Sequence, residues 1–174
     1  MPNAVISSRP SNPNFELYWR LSKEYCAWIY YTPDDRYEMS MLTTSFAQDN
    51  PRKRKCRVPP NVHDARYSDE SIGHVFVIHN HPVGNELSRD DIQFIVDMGS
   101  IHGFTVKTRE REVPIGIVAF FSGTDLPTCN GFFLYTPATS EILKWTVSQK
   151  SEWKKELYGM VKWLNSSEFE IEYK

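Results

Sequence analysis

The sequence predicts an α/β (α+β) single domain, a central sheet flanked by helices. Three observations predict it. The chain has 174 residues, within the usual span of about 100–200 for one domain. Stretches of strand character alternate with stretches at helical spacing. Val75–Ile78 (VFVI) is a short continuous apolar run, which suits a buried central strand. Hydrophobic residues make up 40% and charged residues 24%, a globular composition that excludes collagen-like repeats and disorder. The net charge of -2 argues against a broad basic coat for nucleic acid. No apolar run reaches the ~18–20 residues of a membrane span, and Met1–Asn14 lacks the apolar region of a signal peptide. The three cysteines, Cys26, Cys56 and Cys129, are an odd count without CxxC spacing. They disfavour a disulfide framework and a cysteine-rich zinc site. The expected setting is cytoplasmic, with no membrane partner.

The elements follow in order. Residues 1–14, rich in Pro, Ser and Asn, read as a flexible lead-in, and the domain as 15–174. Phe15 to Glu24 fits a short helix. Tyr25–Tyr31 (YCAWIYY) is aromatic-rich and reads as a strand. The turn TPDDR and the alternating stretch Tyr37–Thr44 complete a hairpin. Residues 49–73 read as a long loop, with room for a short helix. Val75–Ile78 ends in His79-Asn80-His81-Pro82. Ser88 to about His102 reads as a helix with Ile92, Ile95, Val96 and Ile101 on one face, and Gly103 stops it. Phe104–Lys107 and Ile115–Phe121 read as strands, and Phe132–Tyr135 with Ile142–Val147 as a hairpin. Trp153, Leu157, Val161 and Leu164 lie at helical spacing. Phe169, Ile171 and Tyr173 alternate as in a closing strand. The domain is thus expected to end in an added hairpin, helix and strand.

The chemistry concentrates in His79–Asp91, HNHPVGNELSRDD. Residues i and i+2 of an extended chain point to the same side, so His79 and His81 converge while Asn80 points away. Residues i and i+3 share a helix face, so Asp91 at the helix start can turn back toward the pair. Two His and one carboxylate with an open position is the composition of a catalytic zinc site. A plainer reading stands beside it: Ser88-x-x-Asp91 as a helix cap and the histidines as a polar strand end. His74, five residues before His79, faces the opposite side of a regular strand. With His63 in the loop and His102 at the helix end, it reads as a surface or packing residue.

These segments resemble the JAMM (MPN+) zinc metalloprotease superfamily, whose motif is a distant Glu, then His-x-His-Pro, a spacer and Ser-x-x-Asp. HNHP and SRDDI look most like the bacterial RadC-like branch, and KEYCAWIYYTPDDRYEMSMLTTS looks like the Glu-bearing first hairpin. The resemblance covers about residues 15–121. PVGNEL, between His81 and Ser88, is one residue shorter than the family usually has; Asp90 is the fallback ligand. The resemblance implies a JAMM-type central mixed sheet and one Zn²⁺ per chain, held by His79, His81 and Asp91. Zinc would lower the pKa of a bound water to about 7. Glu24 would be the general base, with Glu38 its rival and Glu16 and Glu86 less favoured. Ser88 would donate to the developing oxyanion.

The implied activity is hydrolysis of an amide or isopeptide bond, after the C-terminal tail of a ubiquitin-like protein or similar peptide. A Gly-rich tail can bind as an added strand. The alternatives are a RadC-like, DNA-repair-associated protein that binds nucleic acid and a non-catalytic scaffold. Arg52, Lys53, Arg54, Lys55 and Arg57 form a basic run suited to nucleic acid, an acidic protein patch or phosphate, or to a solvated loop.

Overall fold

The computed structural model describes residues 23–44, 56–81, 86–121, 129–148 and 151–174. The expected lead-in, most of the Phe15–Glu24 helix, Glu16 and the basic residues Arg52–Lys55 lie outside them. The described chain is mainly sheet. β1 (Tyr25–Tyr31) leads through a turn to β2 (Tyr37–Met39) and β3 (Thr43–Thr44). Asp35 closes the turn in the left-handed region (φ 60°), which Asp tolerates. After a one-turn 3₁₀ helix (Asp69–Ser71) come β4 (Gly73–Asn80) and the one described α-helix, α1 (Arg89–His102). β5 (Thr105–Lys107) and β6 (Glu112–Pro114) form a small sheet of their own; the latter strand went unread in the sequence. β7 (Gly116–Phe121), β8 (Gly131–Thr136), β9 (Glu141–Val147), β10 (Trp153–Trp163) and β11 (Phe169–Tyr173) complete the main sheet.

The main sheet runs β11-β10-β9-β8-β7-β4-β1-β2, with β3 also on β1. Only β4 and β7 are parallel; the other neighbours are antiparallel. A parallel pair needs a crossover, which α1 and the small sheet supply. β4 and β7 sit mid-sheet, which accounts for their nearly unbroken apolar runs. The core lies on the face carrying Trp28, Val77, Ile117 and Phe133. There α1 lays down Ile92, Ile95 and Met98, and the 56–72 segment adds Val58, Val62 and Ile72. Gly99 lets α1 close on Phe104: an added Cβ would lie 2.5 Å from that ring. The buried helix face is thus Ile92, Ile95, Met98 and Gly99, whereas Ile101 is 61% exposed.

Beyond the fold class, which is a mainly-strand mixed sheet with one α-helix among the described residues rather than a sheet flanked by helices, two expectations are corrected. The stretch from Trp153 is not a helix but a strand paired to both β9 and β11. Residues four apart share a face in a strand as well as in a helix, so the steps from Trp153 through Leu157 to Val161 did not discriminate; Leu164, three residues on, lies past the strand end. A register shift between Leu157 and Gly159 then changes the strand's phase, leaving Leu157 against Leu143 and burying Val161 in the core. The second correction is Cys26–Cys56, which the structure joins as a disulfide across 30 residues with Cα atoms 5.7 Å apart. It ties β1 to the segment that covers the core; Cys129 is free and exposed.

Candidate metal centre

His79 is held on both sides, opposite Cys26 of β1 and Ala119 of β7. His81 follows the strand end and is fixed by its N–H, which donates to the Phe120 carbonyl (2.9 Å). The two-residue spacing brings the rings together, with Nε2 atoms 2.8 Å apart. Asp91 arrives from the first turn of α1. Its Oδ1 lies 3.5 Å from His79 Nε2 and its Oδ2 3.5 Å from His81 Nε2. A capping box sets that carboxylate. The Asp91 N–H donates to Ser88 Oγ (3.1 Å), while the Ser88 N–H (2.8 Å) and hydroxyl (2.7 Å) donate to Asp91 Oδ2. The cap and the ligand-facing carboxylate are therefore one device, and the two readings of Ser88-x-x-Asp91 coincide. Asp91 rather than Asp90 turns to the histidines; Asp90 is exposed.

The donor set fits a zinc ion. Bonds of about 2.0–2.1 Å in a tetrahedron separate neighbouring ligand atoms by about 3.3 Å, close to the observed 2.8 and 3.5 Å. The protonation states suit it as well. Burial pushes His79 down, against the opposing pull of Asp91. Burial alone would raise the Asp91 carboxyl, but hydrogen bonds and charge from His79 and His81 outweigh it and hold it well below the usual carboxylate range. Neutral imidazole and ionised carboxylate are the forms that bind a metal. His79 Nδ1 is buried, and a backbone hydrogen bond with Val118 adds to the pull that opposes burial.

Glu24 stands beside the pair, immediately before β1. Its carboxylate and the two imidazoles gather within 4.8 Å of one another, and its Oε1 lies 3.7 Å from Cys56 Sγ of the disulfide. Glu38 is placed elsewhere. It pairs with Tyr30 across the strands and is bound by Arg66 and the Tyr30 hydroxyl. Tyr30 lies about 13 Å along β1 from Cys26 at the strand rise of about 3.3 Å. Glu86 accepts from the Tyr158 hydroxyl. Of the basic run only Arg57 is described; it is exposed, and its carbonyl accepts from Thr43 Oγ1 (2.7 Å).

The other histidines are packing or surface residues, but His74 is not on the opposite face. Ile29 pairs with Phe76 and Tyr30 with His74, so Val75 is the extra residue of a bulge. The bulge returns His74 to the His79 face. There its ring stacks on His102 with centroids 3.7 Å apart, and its Nε2 accepts from the Val62 N–H (3.0 Å). His102 Nε2 lies 2.7 Å from the Pro60 carbonyl, and Trp28 Nε1 donates to Pro59 (2.9 Å). Three rings thus pin the 58–62 segment over the core. His63 is exposed against Asp69.

No family model, curated protein or solved structure matches the chain. Among the described residues no helix is long and apolar enough to cross a membrane.

Proposed function

We propose that this chain is a zinc-dependent peptidase or isopeptidase of the JAMM kind, RadC-like in its motif. It would cut an amide bond after the C-terminal tail of a ubiquitin-like protein or a similar peptide. One observation carries the reading: His79, His81 and Asp91 converge from a strand end and a helix start, with the Glu24 carboxylate alongside. The parallel β4–β7 pair joined through α1 supports it, because that crossover delivers Asp91 to the strand end.

His79, His81 and Asp91 would hold one Zn²⁺. Bound there, the ion would supply Lewis acidity, polarising a carbonyl and acidifying water at the site. Glu24 takes the proton from attacking water and returns it to the leaving amine, as a general base that becomes a general acid. Ser88 aims Asp91 through its hydroxyl. For the same hydroxyl to donate to an oxyanion, its proton must swing away from Asp91 Oδ2.

The test is cleavage of a fusion joined through a Gly-rich, ubiquitin-like tail, with and without a chelator. Chelator-sensitive cleavage restored by zinc is expected. Failure of zinc-loaded protein to cut any such tail would refute the substrate class. Loss of zinc from Glu24→Ala would mean that Glu24 closes a four-ligand structural site instead.

A further inference from the structure

Asn80 lies between the two histidines and is 7% exposed. Strand alternation sends its side chain to the face opposite His79. There its amide reaches back to the start of β1. Oδ1 accepts from the Tyr25 N–H (2.8 Å), and Nδ2 donates to the Lys23 carbonyl (3.1 Å). These two groups flank Glu24. We infer that Asn80 is a positioning residue that clamps the backbone on both sides of Glu24 and so fixes its carboxylate beside the histidine pair. The catalytic consequence rests on the hydrolase reading above; the clamp itself does not.

The sheet register explains why a side chain is needed. The β1–β4 ladder ends at Cys26 opposite His79. Beyond it β4 keeps only its β7 ladder, which the His81 N–H continues to the Phe120 carbonyl. The Asn80 amide, with one acceptor and one donor on a short planar group, stands in for the missing peptide and extends the ladder past Glu24. Glu24 and Cys26 share the His79 face by the same alternation. The backbone is therefore gripped from one side of the sheet while the carboxylate projects to the other. Asp keeps the acceptor but lacks the donor; Ala has neither.

A misplacement of about 1 Å at a reacting group can cost about 10²-fold in rate. Asn80→Ala is therefore expected to lower kcat about 10²-fold on the Gly-tailed fusion, with KM and zinc stoichiometry near wild type. Asn80→Asp, nearly isosteric, is expected to fall between them and carries the test should the alanine variant fail to fold. Amide hydrogen exchange by NMR gives a readout independent of activity: the Tyr25 N–H is expected to exchange faster in the alanine variant. Unchanged Tyr25 exchange, or a kcat equal to wild type, would overturn the proposal. So would parallel loss of zinc and activity, which would make Asn80 a support for the histidines. If the wild type itself cuts nothing, the hydrolase reading fails and exchange alone decides the clamp: faster supports it, unchanged overturns it.

Discussion

Ser88→Ala separates two roles that the capping box combines. As an N-cap, Ser88 accepts from the Asp91 N–H, and its loss costs about 1 kcal/mol of stability. At this chain length that is a fall in Tm of about 2–4 °C. Its hydroxyl also donates to Asp91 Oδ2 at 2.7 Å, on the carboxylate that faces both histidines. Partners that orient a metal ligand typically contribute 10–100-fold in affinity, or about 1.4–2.7 kcal/mol at 1.36 kcal/mol per tenfold step. The variant should therefore show both a small drop in Tm and a 10–100-fold weaker zinc affinity, read by competition against a chelating dye. Ser88→Thr should restore most of each, since threonine also caps and donates. An alanine variant that melts lower yet binds zinc as tightly as wild type would refute the coupling and leave Ser88 a cap alone. A further loss of kcat at saturating zinc, about 10²-fold or more, would report oxyanion donation as well.

Other expectations follow from the same geometry. Glu24→Ala should abolish turnover and keep zinc, whereas His79→Ala should lose both, as measured by activity and elemental analysis side by side. Reducing the Cys26–Cys56 disulfide reopens a 30-residue separation, which the chain-entropy relation sets at about 3–4 kcal/mol of stability; denaturant titration with and without dithiothreitol reads it. Burial first and His102 second hold His74 down at about 4. A base with a depressed folded pKa keeps its stabilising contribution above the unfolded value of about 6.5 and loses it as pH falls toward the folded one. Stability should thus drop between about pH 6.5 and pH 4, by about 2 kcal/mol after allowance for solvent screening. His74→Gln should flatten that limb of the unfolding curve.

Much of the site was legible because its rules are local. The two-residue step fixes where His79 and His81 point, and a Ser-x-x-Asp cap fixes where Asp91 sits at the start of α1. Each of β1, β4, β7, β8, β9 and β11 announced itself through alternation or apolar runs. What escaped depends on tertiary pairing. The bulge at Val75 reverses the side on which His74 lies, and no residue type marks it. The four-residue steps from Trp153 to Val161 satisfy a strand as well as a helix. Cys26 meets Cys56 only because β1 and the 56–72 segment enclose one core. Asn80 grips residues 55 and 57 positions away, a partnership that no local pattern encodes.

The proposed chemistry depends on a zinc ion held by His79, His81 and Asp91. Elemental mass spectrometry on the purified wild type beside Asp91→Ala tests it most directly. About one zinc per chain is expected in the wild type and far less in the variant. No zinc in the wild type after zinc is supplied, or equal zinc in the two proteins, would contradict it.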